Sequence, residues 1–435
     1  MLAHKVAKFL GALFFLAPLL TTIIPRLTLP CFVVLGASLS GVAFFSGGRG
    51  RETLPPGSAA LFLLAGLYIL LSAAWASNPS GAAEKAALLV LVALLSIVAI
   101  RSLTAIDPLQ LTSLARALLW GLGVGASFVL FEVWTDGVIT RSAMNTVSWL
   151  QPETSKHVKM QDGLIARLDM SRFNHHATML ALQLWPALLL LTASTKGRSQ
   201  MLLASLFLTA TVVAIFVSEH DSSQLAIIVS LFVGLLAKAW PRMVVRGLAL
   251  MWCVGFIVII PLVHLAYDAG LHKAESLPKS FRARIIIWDY TAEKVASTPW
   301  LGIGAGSTKL ERQPRSKVDL PPGFVFPRAT GQHAHNVFLQ TWFELGLFGA
   351  IIFAVVGAAV ILRILLLPPE VQPFAAASFA VFGVIASFAW GMWQSWWVCA
   401  IGLMVIYLCL GAALLRRHGT EAPSDAREPI RNVAR

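Results

Sequence analysis

Long apolar runs separated by short polar breaks fill most of the chain, and two polar stretches are much longer than a turn. A helix needs about 20 mostly apolar residues to span a bilayer. Twelve segments approach that requirement, near residues 9–25, 28–46, 58–77, 83–100, 111–134, 174–194, 200–218, 222–239, 244–267, 336–364, 372–392 and 395–415. The sharpest break is Gly47-Gly48-Arg49-Gly50-Arg51 with Pro55-Pro56-Gly57, because glycine and proline punctuate helices. The pattern predicts one all-α polytopic membrane domain over residues 1–435 with about twelve transmembrane helices. A smaller loop at 135–173, a large one at 268–335, both partly helical, and a polar tail at 417–435 complete it.

Composition agrees. The chain is 57% hydrophobic and 13% charged, where a soluble protein carries about a quarter charged residues. Cys31, Cys253, Cys399 and Cys409 sit inside apolar runs without CxxC spacing. They read as small hydrophobes, and neither a disulfide framework nor a metal centre is expected. Lys5 and Lys8 precede the first apolar run much as in a signal peptide, but further spans follow and the first helix reads as retained.

Charge orients the helices. Lys5, Lys8, Arg49, Arg51, Arg101, Lys196, Arg198, Lys238, Arg242, Arg246, Arg363, Arg416 and Arg417 fall on one side, against Arg26 and Lys85 in the short loops of the other. The positive-inside rule then puts both termini in the cytoplasm and both long loops outside. The large loop holds ten Lys/Arg and six acids. Such charge suits an anionic phosphate or pyrophosphate head group, or nonspecific contact with anionic lipid. Its expected partners are membrane lipids and no nucleic acid.

Candidate chemistry gathers around that loop. Gly331-Gln332-His333-Ala334-His335-Asn336 leads directly into an apolar helix, and an imidazole there can accept and return a proton near neutrality. Upstream, Phe281, Ile285, Trp288, Ala292 and Val295 recur at helical spacing after Ser280, a plausible N-cap. Arg284 and Trp288 share one face of that helix. Arginine matches phosphate oxygens with a fork of donors, although an interfacial arginine also snorkels. Pro299-Trp300-Leu301-Gly302-Ile303-Gly304-Ala305-Gly306 permits positive φ or close backbone approach.

Arg167 and Arg172 precede Asn174-His175-His176 at the mouth of another span, where Asn174 suits a helix cap. The turn Ser218-Glu219-His220-Asp221-Ser222-Ser223-Gln224 holds triad residue types, yet contiguous residues do not make triad geometry. Glu344 lies nine residues after His335, about 13 Å along the helix and on the opposite face. It therefore pairs elsewhere, with another helix.

Taken together, these pieces resemble the O-antigen ligase/polymerase superfamily, most of all its ligases. The resemblance rests on His335-Asn336 followed by Leu339, Glu344, Gly346 and Gly349, on Arg284…Trp288 leading to Pro299 and the glycine run, and on Arg172-Phe173-Asn174 opening a span. It covers most of the chain. It implies a metal-independent, inverting glycosyltransferase without cofactors at the periplasmic face of the bacterial inner membrane. The glycan would pass from undecaprenyl pyrophosphate to a lipid A-core hydroxyl, with His335 as general base and Arg284 assisting the leaving group. Arg172, Arg167, Arg282, Asn336, Asn174, His333 and Trp288 would bind substrate. Many members carry an arginine near the start of the eighth span, where this chain reads Ser222-Ser223-Gln224. Either Arg167 or Arg172 supplies that charge or the turn aligns differently. A polymerase or a protein O-oligosaccharyltransferase of the superfamily, or, from another class, a lipid-linked-oligosaccharide flippase or secondary transporter, remains open.

Overall fold

The computed structural model describes residues 2–45, 57–147, 158–194, 197–311 and 330–420. Arg49, Arg51 and Lys196 of the basic side, Arg312, Arg315, Lys317 and Arg328 of the large loop, and the tail from residue 421 lie outside them. So does the glycine- and proline-rich break at 46–56.

In chain order the helices are α1 (Leu2–Ile23), α2 (Thr28–Phe45), α3 (Gly57–Leu71), α4 (Pro79–Ala105), α5 (Pro108–Trp134) and α6 (Val138–Thr146). A hairpin of β1 (Val158–Gln161) and β2 (Leu164–Leu168) precedes α7 (Asn174–Ser194). Then come α8 (Arg198–Val217), α9 (Asp221–Ala239), α10 (Pro241–Asp268), α11 (Lys279–Val295), α12 (Val337–Leu362), α13 (Gln372–Phe388) and α14 (Ser395–Thr420). Among the described residues, nine helices are long and apolar enough to cross a membrane. Three shorter apolar helices, α3, α8 and α13, occupy the remaining segments expected from the sequence. The chain is an all-α polytopic membrane protein.

The centre of the bundle is α7. It is apolar on every side, and each residue from Ala177 to Leu191 is buried, as expected of a helix with neighbours all round. Those neighbours include α5, α8, α13 and α14. Next to this core, α9 packs on α13 and α10 on α12. The amphipathic α11 lies across α10 and α12, burying Ile285, Trp288, Ala292 and Val295 as their spacing predicts.

Three local expectations change. The smaller loop holds an antiparallel hairpin as well as α6. Asp162 and Gly163 both have positive φ, 51° and 77°, and an Asp-Gly pair is the favoured sequence for such a turn. Ser280 is not an N-cap: α11 begins at Lys279 after Pro278, and the Ser280 hydroxyl donates to Asp221 Oδ2 at 3.0 Å. The eleventh segment ends as helix at Phe388, not near residue 392. Residues 389–394 form a turn that faces the large loop's end.

The glycine run is knitted into α12. Gly302, Gly304 and Gly306 have φ of 65°, 88° and 73°. Within α12, Gly346 leaves helical geometry at φ 64°, ψ −163°. That break frees the amides of Leu347 and Phe348, which donate to the carbonyls of Pro299 at 2.8 Å and Trp300 at 3.4 Å. In return Ile303 and Gly304 donate to Phe343 and Glu344 carbonyls at 3.0 and 2.8 Å. Contact is so close that a Cβ on Gly302 would stand 2.4 Å from the Glu344 carbonyl carbon.

Candidate active site

The start of α12 is built by its own cap. Asn336 accepts from the Leu339 amide at 2.9 Å, a bond worth about 1 kcal/mol at a helix N-terminus, and its Nδ2 donates to the Ser387 carbonyl at 3.1 Å. Just before it, His335 has φ of 53°. A non-glycine residue in this left-handed region costs about 1–2 kcal/mol, so tertiary contacts must hold it. Two contacts do so. The buried Trp288 indole donates to the Ala334 carbonyl at 2.8 Å, and His335 Nδ1 donates to the Ala389 carbonyl at 2.5 Å.

That second bond decides the tautomer. A carbonyl oxygen only accepts, so Nδ1 carries the proton and Nε2 keeps its lone pair. His333 packs edge-on against His335, with ring centroids 3.9 Å apart. Its ring lies over Gly391, where an added Cβ would come within 2.8 Å. Gln394 Nε2 is 3.4 Å from His333 Nε2.

Further histidines converge on the same place from other helices. His220, at the start of α9, holds Ser223 Oγ at 2.7 Å through Nδ1. It stands 6.0 Å, ring to ring, from Trp390. His175, at the start of α7, stands 4.2 Å from Trp390 and 4.7 Å from Trp396. The Trp390 indole donates to Thr178 Oγ1 at 3.0 Å.

Arg284 lies within electrostatic reach of His220, His333 and His335. Burial lowers its pKa and Asp221 opposes that. No hydrogen bond or ion pair engages its guanidinium among the described residues. Burial takes His335 down to about 4, opposed by the Ala389 hydrogen bond and assisted by the Arg284 charge. Burial also takes His333 and His220 to about 3, with His335, Lys309 and Arg284 adding to the first and Arg284 and His175 to the second. At neutral pH these imidazoles are uncharged, with Arg284 in electrostatic reach of all three and Lys309 of His333.

The residues expected from the sequence divide accordingly. His335, His333, Asn336, Arg284 and Trp288 form one cluster, in which Trp288 uses its only polar atom to hold the histidine loop. Asn174 begins α7 one residue before His175. Arg172 and Arg26 are each within electrostatic reach of His175. Arg167 stands apart, exposed on the hairpin 3.8 Å from Asp136. Arg282, two positions from Arg284, projects about 200° away round the helix. Trp390, Gln394 and Trp396 were not anticipated; a glycine and a glutamine interrupting an apolar run at Gly391 and Gln394 are the signal for them.

Glu344, expected to pair with another helix, is held instead by the end of the glycine run and the segment after it, by its own helix and by the turn before α14. It is 1% exposed and accepts from the Gly306 amide at 2.7 Å, from Thr308 Oγ1, from Gln340 Nε2 at 3.2 Å and from Trp393 Nε1.

Residues 204–354 match the family model described as O-antigen ligase. That stretch holds His220, Arg284, Trp288, His333, His335 and Asn336; Arg167, Arg172, Asn174 and His175 precede it. A protein of Rickettsia felis named "Putative polysaccharide ligase" is 24% identical over 260 residues, 59% of this chain and 62% of its own length. One of Rickettsia conorii with the same description is 24% identical over 300 residues, 68% of this chain and 66% of its own. One of Rickettsia prowazekii is 30% identical over 129 residues, 29% and 31% of the two chains. The chain thus matches less than two thirds of the length of these relatives. These matches support the resemblance to the O-antigen ligase superfamily, with residues 204–354 as the stretch that matches its ligase model.

Proposed function

We propose that this protein is a periplasm-facing, inverting glycosyltransferase of the ligase type. It moves a glycan from undecaprenyl pyrophosphate to a hydroxyl of lipid A-core in the bacterial inner membrane. The observation that carries the proposal is His335: its Nδ1 proton is committed to Ala389, its Nε2 lone pair is left free, and the Arg284 charge stands within electrostatic reach. The side assignment rests on the excess of Lys and Arg in the short loops of the opposite face.

In the reaction, the acceptor oxygen attacks the anomeric carbon opposite the pyrophosphate as His335 Nε2 takes the hydroxyl proton. The bond to the pyrophosphate oxygen breaks with its electron pair, and undecaprenyl pyrophosphate leaves. Arg284, with Arg172 on the α7 side, stabilises the charge gathering on that leaving group. The same two negative phosphates favour the imidazolium as it forms, offsetting the burial that otherwise keeps His335 neutral.

A deletion strain tests the reading. Loss of long-chain lipopolysaccharide with accumulation of lipid-linked polymer supports a ligase. A single repeat left on lipid A-core means a polymerase instead, and unchanged lipopolysaccharide with altered protein glycosylation means a protein O-oligosaccharyltransferase.

A further inference from the structure

Glu344 is buried in the middle of the machinery, yet it touches neither histidine nor Arg284. We infer that it is a positioning residue for His335, acting through the turn at residues 389–394; this rests on the reading of His335 as the base. The turn is irregular, and side-chain bonds hold it to α12. Met392 donates its amide to Gln340 Oε1 at 3.1 Å, and Trp393 donates its indole proton to Glu344. Gln340 in turn donates to Glu344 at 3.2 Å.

The opposite side of the same turn meets the histidines. Ala389 offers the carbonyl that sets the His335 tautomer at 2.5 Å. Gly391 supplies the bare backbone under His333, where a Cβ would approach within 2.8 Å. Just upstream, the Ser387 carbonyl receives Asn336 at 3.1 Å. A shift of the turn toward or away from α12 therefore moves the acceptor that aims His335 Nε2.

The donors around residue 344 call for two acceptor oxygens. Donors from three segments converge there: the glycine run with Thr308, Gln340 of the same helix, and Trp393 of the turn. A carboxylate offers about four lone-pair sites on two oxygens, whereas an amide offers one oxygen and presents an NH2 to the remaining donors. Donors left unmatched in a buried site pull the turn and the glycine run apart.

The test compares the two sides of the Glu344 cluster in purified protein with undecaprenyl-pyrophosphate-linked glycan and lipid A-core. Trp393→Phe deletes only the donor from the turn and keeps a ring against Phe353. Thr308→Val deletes a donor from the glycine run. A misplacement of about 1 Å can cost up to 100-fold in rate. Trp393→Phe is expected to lower kcat by about 10- to 100-fold with donor KM within about threefold of wild type. Thr308→Val should keep kcat within about threefold, and Glu344→Gln should follow Trp393→Phe.

Wild-type kcat in Trp393→Phe, an equal loss in Thr308→Val, or a loss that appears in KM would each overturn the inference. If Glu344→Gln does not accumulate, the other pair still decides. His335→Ala, assayed beside them, separates the two claims. Full activity there removes the base itself, whereas an inactive His335→Ala with a fully active Trp393→Phe removes only the role of Glu344.

Discussion

His335 Nδ1 lies 2.5 Å from the carbonyl oxygen of Ala389, 54 residues further along the chain. This one contact joins the end of the large loop to the turn between α13 and α14. It leaves Nε2 as the basic nitrogen, and it makes the two imidazoles of the loop unequal.

The inequality is testable with two substitutions. His335→Ala should lose about two to four powers of ten in transfer rate, the usual worth of general-base help, while still binding the lipid-linked donor. His333→Ala should keep substantial activity. Both proteins are assayed with and without EDTA. Equal loss in the two variants, with a chelator-sensitive wild type, would point to a shared metal in place of the base.

Charge and shape can be separated at Arg284. Arg284→Ala is expected to abolish most transfer, and Arg284→Lys to recover only part, because an ammonium lacks the bidentate fork. Near-normal activity of a well-expressed Arg284→Ala protein would make this arginine an interfacial one.

The depressed histidines set a pH dependence. With His335 at about 4 in the free protein, kcat/KM should hold level through neutral pH and fall only as Nε2 protonates near that value. The kcat profile should turn over at higher pH, since the bound pyrophosphate favours the imidazolium. Stability has its own sign. His220, His333 and His335 stand at about 3, 3 and 4, below the roughly 6.5 of a free imidazole. Between these values the unfolded chain binds more protons, so stability is fully present above about pH 6.5 and is lost as pH falls toward 4. Thermal unfolding in detergent at pH 7, 5.5 and 4 reads this directly; a midpoint that does not fall would contradict it.

Glycine at 302 is a packing requirement. Gly302→Ala combines a φ of 65° with a Cβ only 2.4 Å from backbone, so about 2–5 kcal/mol should be lost. Gly123→Ala meets nothing within 4 Å and should be neutral or stabilising by up to about 1 kcal/mol. Denaturation of the two variants side by side checks the contrast.

Topology is accessible to chemistry. A cysteine at the exposed Ser142, or at Ser316 of the large loop, should react from outside the cell with a membrane-impermeant thiol reagent. Reaction only after lysis would reverse the orientation and remove the basic loop from the carrier's head group.

The sequence by itself determined the membrane architecture, since burying about 20 apolar residues in a bilayer is a local property of each segment. It also marked α11, because Ile285, Trp288, Ala292 and Val295 repeat at the helical period, and it marked His335 and Asn336 by their place at an apolar helix's mouth. Tertiary structure decided the rest. Nothing local makes Ala389 the acceptor for His335, or brings His175 and His220 to Trp390 from the starts of two other helices. Arg167 and Arg284 look alike as loop arginines, and only packing puts one on an exposed hairpin and the other among imidazoles. The same holds for Glu344: its position on α12 said that it could not reach His335, while its partner Trp393 comes from the turn before α14 and Thr308 follows the glycine run that docks at the Gly346 kink. Such contacts join residues tens to hundreds apart, and their geometry follows from how whole helices pack rather than from the period of any one of them.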